Sequence, residues 1–320
     1  GDVTVYYASN ASRAQISFID LDTGDTLHVD GLTGQTGERL NYDPTSVIAT
    51  LQKQGYKLVD NGWVQNPAGL NQATFDAYAP GETVDTQDGK IPVIVKQVWQ
   101  LIFCHKRLTI PATDPQTPTE QITDGDGYTH AYPSGVAEAD LNRTVHRQIY
   151  FKYEDGSDAF NSVDQAVDYT RTATIDLVKL AKGEADAVTY TKWVADQQQT
   201  RFPEYSLPDN DHLLPGYTAT LAGAPATIVP SERIAFDQSG LPANGNDVTI
   251  LYTANPQTTR ITFIDNQTGK IVSPIYPLSG KTGQTLTLKD GDTYKDPNGK
   301  LITVPAGWKL IPGEKIPETV

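Results

Sequence analysis

A β-rich α+β chain of tandem modules is predicted by three observations. The first is an internal repeat: Asp2-Val3-Thr4-Val5-Tyr6-Tyr7 and Ile16-Ser17-Phe18-Ile19-Asp20-Leu21-Asp22-Thr23-Gly24 return as Asp247-Val248-Thr249-Ile250-Leu251-Tyr252 and Ile261-Thr262-Phe263-Ile264-Asp265-Asn266-Gln267-Thr268-Gly269. The displacement is constant, from position 2 to 247 and from 24 to 269, and the echo runs on. Gly34-Gln35-Thr36-Gly37 faces Gly280-Lys281-Thr282-Gly283, and Gly55-Tyr56-Lys57-Leu58-Val59 faces Gly307-Trp308-Lys309-Leu310-Ile311. The second is the period of that repeat: Val3, Val5 and Tyr7, then Ile16 and Phe18, alternate as half-buried strands do. The third is composition, with 16 Tyr, no Met and one Cys in 320 residues, which suits β structure and leaves no disulfide framework within the chain. A chain that starts on the last strand of one unit and stops partway through another reads as a length of a longer tandem array.

Each element follows from local chemistry. Residues 1–12 read as the closing strand of a preceding unit and a polar joint. From Arg13 a strand runs to Asp20, and Asp22-Thr23-Gly24-Asp25 turns it into a hairpin. Asp43 caps a helix, Pro44 fits its first turn, Val47, Ile48 and Leu51 share one face, and Gly55 ends it. Strands follow at 56–59 and 91–103, so that 13–110 has the order strand, strand, helix, strand, strand of a ubiquitin-like β-grasp. Pro111, Pro115, Pro118 and Pro133 mark 111–140 as an extended connector. A second module, 141–254, opens with a strand at 144–153 in which Ile149, Phe151 and Tyr153 alternate, and turns at Glu154-Asp155-Gly156-Ser157. It continues with a strand at 163–171 and closes on 247–253; between them 188–194 is read as strand, with Trp193 in the core. Residues 255–320 form a second, truncated copy of the first module, with Lys295-Asp296-Pro297-Asn298-Gly299 in place of the helix and an unpaired sheet edge.

Charge and motifs exclude several functions. A net charge of -14 repels phosphate backbones and anionic headgroups, which argues against nucleic acid and bare anionic membrane as partners, and no apolar run has membrane-spanning length. No nucleophile elbow, phosphate loop or dinucleotide fingerprint occurs. The five histidines, His28, His105, His130, His146 and His212, lack metal spacing. Cys104 and His105 are strand neighbours on opposite faces, so they make no thiol and base pair, and Cys104 reads as a small buried residue. Asp20, Asp22 and Asp25, and Asp124 and Asp126 in the connector, are the places a calcium ion would take, yet neither loop has EF-hand spacing and turn chemistry accounts for both. No cofactor is expected, and no enzyme.

The pattern Ile16-Ser17-Phe18-Ile19-Asp20, Thr23-Gly24, Gly34, Thr36-Gly37 and Gly55-Tyr56 resembles the mucin-binding (MucBP) domain of lactic acid bacterial surface proteins. The second module resembles the Mub B2 half of the mucus-binding repeat, through Leu141-Asn142-Arg143-Thr144, Tyr153-Glu154-Asp155-Gly156, Val167-Asp168-Tyr169-Thr170-Arg171, Asp176, Trp193 and Pro215-Gly216-Tyr217. The resemblance implies an extracellular, cell-wall-anchored adhesin, monomeric within its array, whose tandem β-grasp modules form an elongated rod that binds mucin glycoproteins. In that family the second module is also associated with immunoglobulin binding. The repeat here is longer than the family's, and no LPxTG-type sorting motif is present.

A saccharide is held by aromatic faces against sugar C–H surface with amides and hydroxyls beside them. Trp63 with Asn61 and Gln65-Asn66, and Tyr128 with Tyr132, fit that description, the alternative for each being core or interdomain packing. Mucin sugars are commonly acidic, as is this chain, so contacts must be local and adhesion should strengthen as pH falls toward the carboxylate range. The competing function is a stalk that projects a distal binding domain, since added copies add reach and avidity.

Overall fold

The alternation at 16–18 and the turn at 22–24 do what their residue types require. In the computed structural model, which describes residues 1–9, 11–64, 73–76, 83–86, 89–92 and 97–320, β1 (Ala11–Asp20) pairs antiparallel with β2 (Thr26–Gln35). Asp43 Oδ1 accepts the Thr45 N–H at 3.0 Å, one of the donors a helix start leaves over, and α1 (Thr45–Lys53) follows. Leu51 is buried, with Val47 and Ile48 packed on the same core. The helix stops at Gly55, whose φ of +93° suits glycine alone. β3 (Tyr56–Asn61), the hairpin of β4 (Thr83–Thr86) with β5 (Gly89–Pro92), and β6 (Gln97–His105) complete the module. β6 runs parallel to β1 and antiparallel to β3, so the sheet is ordered β2-β1-β6-β3, with Ile16, Phe18, Leu101 and Phe103 in its core. This is the β-grasp arrangement, and the β-rich α+β class is observed.

The stretch read as an extended connector is instead part of a packed body. β7 (Arg107–Ile110) leads through 111–136 to α2 (Glu138–Leu141). The chain then passes along β8 (Asn142–Tyr153) and β9 (Asp158–Thr170) to β10 (Ala173–Asp176), α3 (Leu177–Lys182) and β11 (Val188–Tyr190). β10 pairs antiparallel with both β7 and β11. Ile110, Ile122, Tyr128, Val136 and Leu141 bury themselves against Ala173, Ile175 and Leu177. The prolines bend the chain around this small core without extending it, because apolar residues between them supply enough area to bury. One compact unit therefore comprises Gly1–Arg143 with Tyr169–Val194, and the other comprises Thr144–Asp168 with Ala195–Val320. The region where strand was expected at 188–194 is strand at 188–190, breaks at 191–193 and is strand again at Val194; it follows a helix that Asp176 caps through the Lys179 N–H at 3.1 Å.

The larger sheet continues through β12 (Val194–Ala195). Short ladders intervene, β13 (Arg201–Phe202) and β14 (Tyr205–Ser206), then α4 (Asn210–Leu213), β15 (Tyr217–Leu221), β16 (Ala224–Pro225), β17 (Ile228–Val229) and β18 (Glu232–Arg233). β19 (Val248–Ala254) enters the middle of the order β12-β9-β8-β19-β15-β16, parallel to β8 and antiparallel to β15. Its Ile250 and Tyr252 are buried beside Ile149 and Phe151. Beneath it Arg147 is 2% exposed, yet its guanidinium is met by Gln165 Oε1 and by the carbonyls of Pro203 and Pro230. The second copy keeps the hairpin, β20 (Pro256–Ile261) with β21 (Tyr276–Lys281), and as expected has no helix after it. Among the described residues β20 has β21 as its one strand partner, and Trp308, Leu310 and Ile311, counterparts of β3 residues, are exposed.

Candidate functional site

Most of the residues picked out for ligand binding are structural. Trp63 is fully buried, its ring edge-on to Tyr42 at 5.8 Å and to Trp99 at 5.2 Å, so no face is offered to a sugar. Asn61 closes the turn after β3 by accepting the Val64 N–H at 3.2 Å. Gln65 and Asn66 lie outside the described residues. Tyr128 is 5% exposed and donates its hydroxyl to the Leu177 carbonyl at 2.7 Å. Burial, with Asp124 and Asp176 nearby, pushes that phenol well above its usual range. Tyr132 is half-buried against the same core. The physical reason is common to all: a large aromatic gains more by covering a small core than by facing water. Trp193 errs the other way. It does not enter the core of the second module but stands half-buried over Arg171.

The acidic turns are spoken for by the chain's own cations. Lys106 Nζ donates to Asp124 Oδ2 at 3.1 Å and to Asp126 Oδ2 at 2.8 Å. Burial raises the Asp124 carboxyl, but the Asp126 N–H, Lys106 and the Tyr128 N–H together hold it below its usual value. Asp20 and Asp22 meet a partner that linear spacing did not reveal. His105 places Nε2 at 3.0 Å from Asp20 Oδ2 and Nδ1 at 2.8 Å from Asp176 Oδ2. Asp22 accepts the His105 backbone N–H at 2.7 Å and an Arg107 guanidinium N–H at 2.7 Å. One ligand atom each from Asp20, Asp22 and His105 lies within 4.8 Å of the others, but both ring nitrogens are engaged by carboxylates. This network ties β1, β6, β7 and β10 together, and the histidine's role is structural.

Two adjoining hollows, of 690 and 530 Å³, surround the repeated turn at 280–283. The turn is built alike in both copies. Lys281 N–H donates to Gln284 Oε1 at 2.9 Å, as Gln35 N–H donates to Glu38 Oε2 at 2.7 Å. Thr282 then anchors it, donating its hydroxyl to the Gly216 carbonyl at 2.8 Å and its N–H to the Asn255 carbonyl at 3.0 Å. Around this fixed turn the first hollow is lined by Tyr217, Ala254, Pro256, Ser279, Lys281 and Gln284, and the second adds Gln257, Thr258 and Thr259. Tyr217 is steadied by the Tyr153 ring at 5.3 Å, and Lys281 lies 3.5 Å from Glu154. The lining thus combines an aromatic ring, hydroxyls, amides and one ammonium, with no Asp, Glu, His or Cys to move a proton. An aromatic ring stands beside an amide and hydroxyls here too, but Tyr217 is 62 to 67 residues from Ser279–Gln284, and only folding joins them.

Comparison with known proteins agrees with this architecture. Residues 136–256 match a Muc B2-like domain and residues 12–87 a mucin binding domain. Among solved structures the chain is similar to Mub-RV, at 19% identity over 76% of this chain and 98% of that one, with a TM-score of 0.50. It is also similar to the type 2 repeat of the mucus binding protein MUB from Lactobacillus reuteri, at 20% identity over 76% and 100% of the two chains, TM-score 0.36. A third is the MucBP domain of the adhesion protein from Pediococcus pentosaceus, at 28% identity over 35% and 99%, TM-score 0.27. No curated protein matches the chain.

Proposed function

Carrying a mucin binding domain and a Muc B2-like domain in tandem, the chain belongs to the mucus-binding repeat proteins, surface adhesins made of non-enzymatic binding modules, and we propose that it holds mucin saccharides in the hollows around Thr282. The observation that carries this reading is the lining: Tyr217 for sugar C–H surface, with Ser279, Lys281 and Gln284 for its hydroxyls. Many such shallow sites in an array supply avidity that one site lacks. Among the described residues no helix is long and apolar enough to cross a membrane. The reading places the chain outside the cell, anchored to the wall and monomeric within its array.

Ser279→Tyr tests it. Ser279 is an exposed strand residue where a tyrosine is well tolerated, and the added ring fills the first hollow. Binding to immobilised mucin should fall by about tenfold or more, the loss of one or two hydrogen bonds and the ring contact. Unchanged binding removes the hollows from consideration. Immunoglobulin binding through 141–254 is the second part of the reading, and immobilised immunoglobulin checks it on the same surface. The stalk alternative draws support from Thr282, which locks the 255–320 segment to Gly216 and Asn255 as a rigid spacer would need. A chain that binds neither mucin nor immunoglobulin favours it.

A further inference from the structure

The chain has 39 acidic side chains against 25 lysines and arginines, and Lys106, Arg107, Lys152, Lys179, Lys281, Lys289 and Lys295 each face a carboxylate. Arg171 does not. It follows the end of β9, and its guanidinium carbon lies 3.7 Å from the centroid of the Tyr190 ring and 4.6 Å from that of Trp193. Nε donates to the Asp140 carbonyl at 2.7 Å, which together with the two rings sets the plane of the fork. Its two terminal nitrogens donate to no protein group among the described residues, and neither is sealed from solvent.

The surroundings are fixed as well. Tyr190 pairs with Ala173 in the β10–β11 ladder, its hydroxyl donates to the Gly135 carbonyl at 2.9 Å, and the residue is still 40% exposed. Thr191 and Thr172 exchange two hydrogen bonds of 3.0 Å beside it. The neighbouring Asp140 carboxylate accepts the Ala137 N–H at 3.1 Å. A guanidinium held between two rings has lost its rotamer freedom on folding, so binding need not supply that cost. Its two unengaged terminal nitrogens carry a pair of N–H groups that matches two oxygens of one anion.

We propose that Arg171, Tyr190 and Trp193 form a receptor for saccharides bearing a carboxylate or a sulfate. The paired donors take the anion while the exposed aromatic edges pack on the sugar's C–H surface. This explains how a strongly acidic chain can hold an acidic sugar: at a Debye length of about 8 Å in physiological salt, the distant carboxylates are screened and the contact cation is not. The proposal rests on the mucin reading for the sugar nature of the ligand, but uses none of the residues around Thr282.

The test is titration of the full chain with 3′-sialyllactose, galactose 6-sulfate and lactose, following the Trp193 indole N–H by NMR in the wild type. The anionic sugars should shift that signal, and lactose should not. Arg171→Gln should weaken the anionic sugars by about tenfold to a hundredfold, the scale of charged hydrogen bonds. Arg171→Lys should recover only part of it, because a point charge lacks the fork. Ser279→Tyr should leave anionic-sugar binding intact, so failure of the Thr282 hollows and failure of this site are separable. On whole mucin, sialidase treatment and desulfation, each applied alone, tell which anion is the source. Absence of an indole shift with either anionic sugar, equal affinity in Arg171→Gln, or an equal shift with a glutamate-rich peptide overturns the proposal.

Discussion

Replacing Gly55 with alanine isolates how the first β-grasp module is joined to the small core that follows it. Gly55 has φ of +93°, and a Cβ there would lie 2.7 Å from the Leu177 carbonyl carbon, 2.8 Å from Leu177 Cβ and 2.8 Å from the Val178 nitrogen. Two penalties result. A left-handed backbone costs an L-residue about 1–2 kcal/mol, and forcing a methyl into packed backbone costs a further 1–3 kcal/mol or so. The sum, about 2–5 kcal/mol, lowers the melting temperature of a unit this size by on the order of 10 °C. Gly24 supplies the control, since it has φ of +80° with nothing within 4 Å of its would-be Cβ. Gly24→Ala should therefore cost only the backbone part, about 1–2 kcal/mol. Calorimetric melts of both variants give the packing part as the difference. If Gly55→Ala is no worse than Gly24→Ala, then residues 177 and 178 yield freely and the close approach does not join the two cores.

His105→Leu leaves Asp20 and Asp176, with side chains 1% and 10% exposed, without the imidazole between them, and should destabilise the chain by about 3–5 kcal/mol in urea titration; a cost under about 1 kcal/mol would mean Arg107 alone suffices. Acid should weaken the same unit. Burial pushes Asp22 and Asp124 up, but their hydrogen bonds and cations leave both below the usual 3.8, so their contribution is complete above that value and is lost as pH falls through the depressed pKa values. Lys106 is raised by its carboxylates against the opposing effect of burial, and its contribution disappears only in strong alkali. Melting temperatures should hold from pH 7 to about 4.5 and drop below about pH 4, while a profile level down to pH 2 would refute the assignment. Mucin binding at fixed salt should rise over pH 7 to 4 as the charge of -14 is neutralised; a flat or falling curve counts against charge repulsion as the limiting term.

The elements were legible where local chemistry decides. Strand alternation through Ile16 and Phe18, the Asp43 and Gly55 helix ends, and the lack of a helix in the second copy all hold in the structure. What escaped was anything made by distant partners. Tyr128 and Tyr132 stand in a proline-rich stretch that reads as a connector, where either ligand binding or packing could employ them, and it is the distant Ile175 and Leu177 that complete the core they join. His105 shows no metal or triad spacing because Asp20 and Asp176 stand 85 and 71 residues away. Arg171 and Trp193 were visible as parts of a pattern, but their stacking was not.

The amino-acid order by itself determined which segments alternate, where they turn and that one module recurs. Whether an alternating segment becomes a strand was decided elsewhere. Asp247–Tyr252 and Asp2–Tyr7 are near copies, but the former lies between β8 and β15 with Ile250 and Tyr252 buried, while residues 2–7 form no strand and expose Val3 at 88% and Tyr7 at 92%. A strand's hydrogen bonds and half of its buried area belong to its neighbours, so the pattern is a capacity that only the tertiary partners realise.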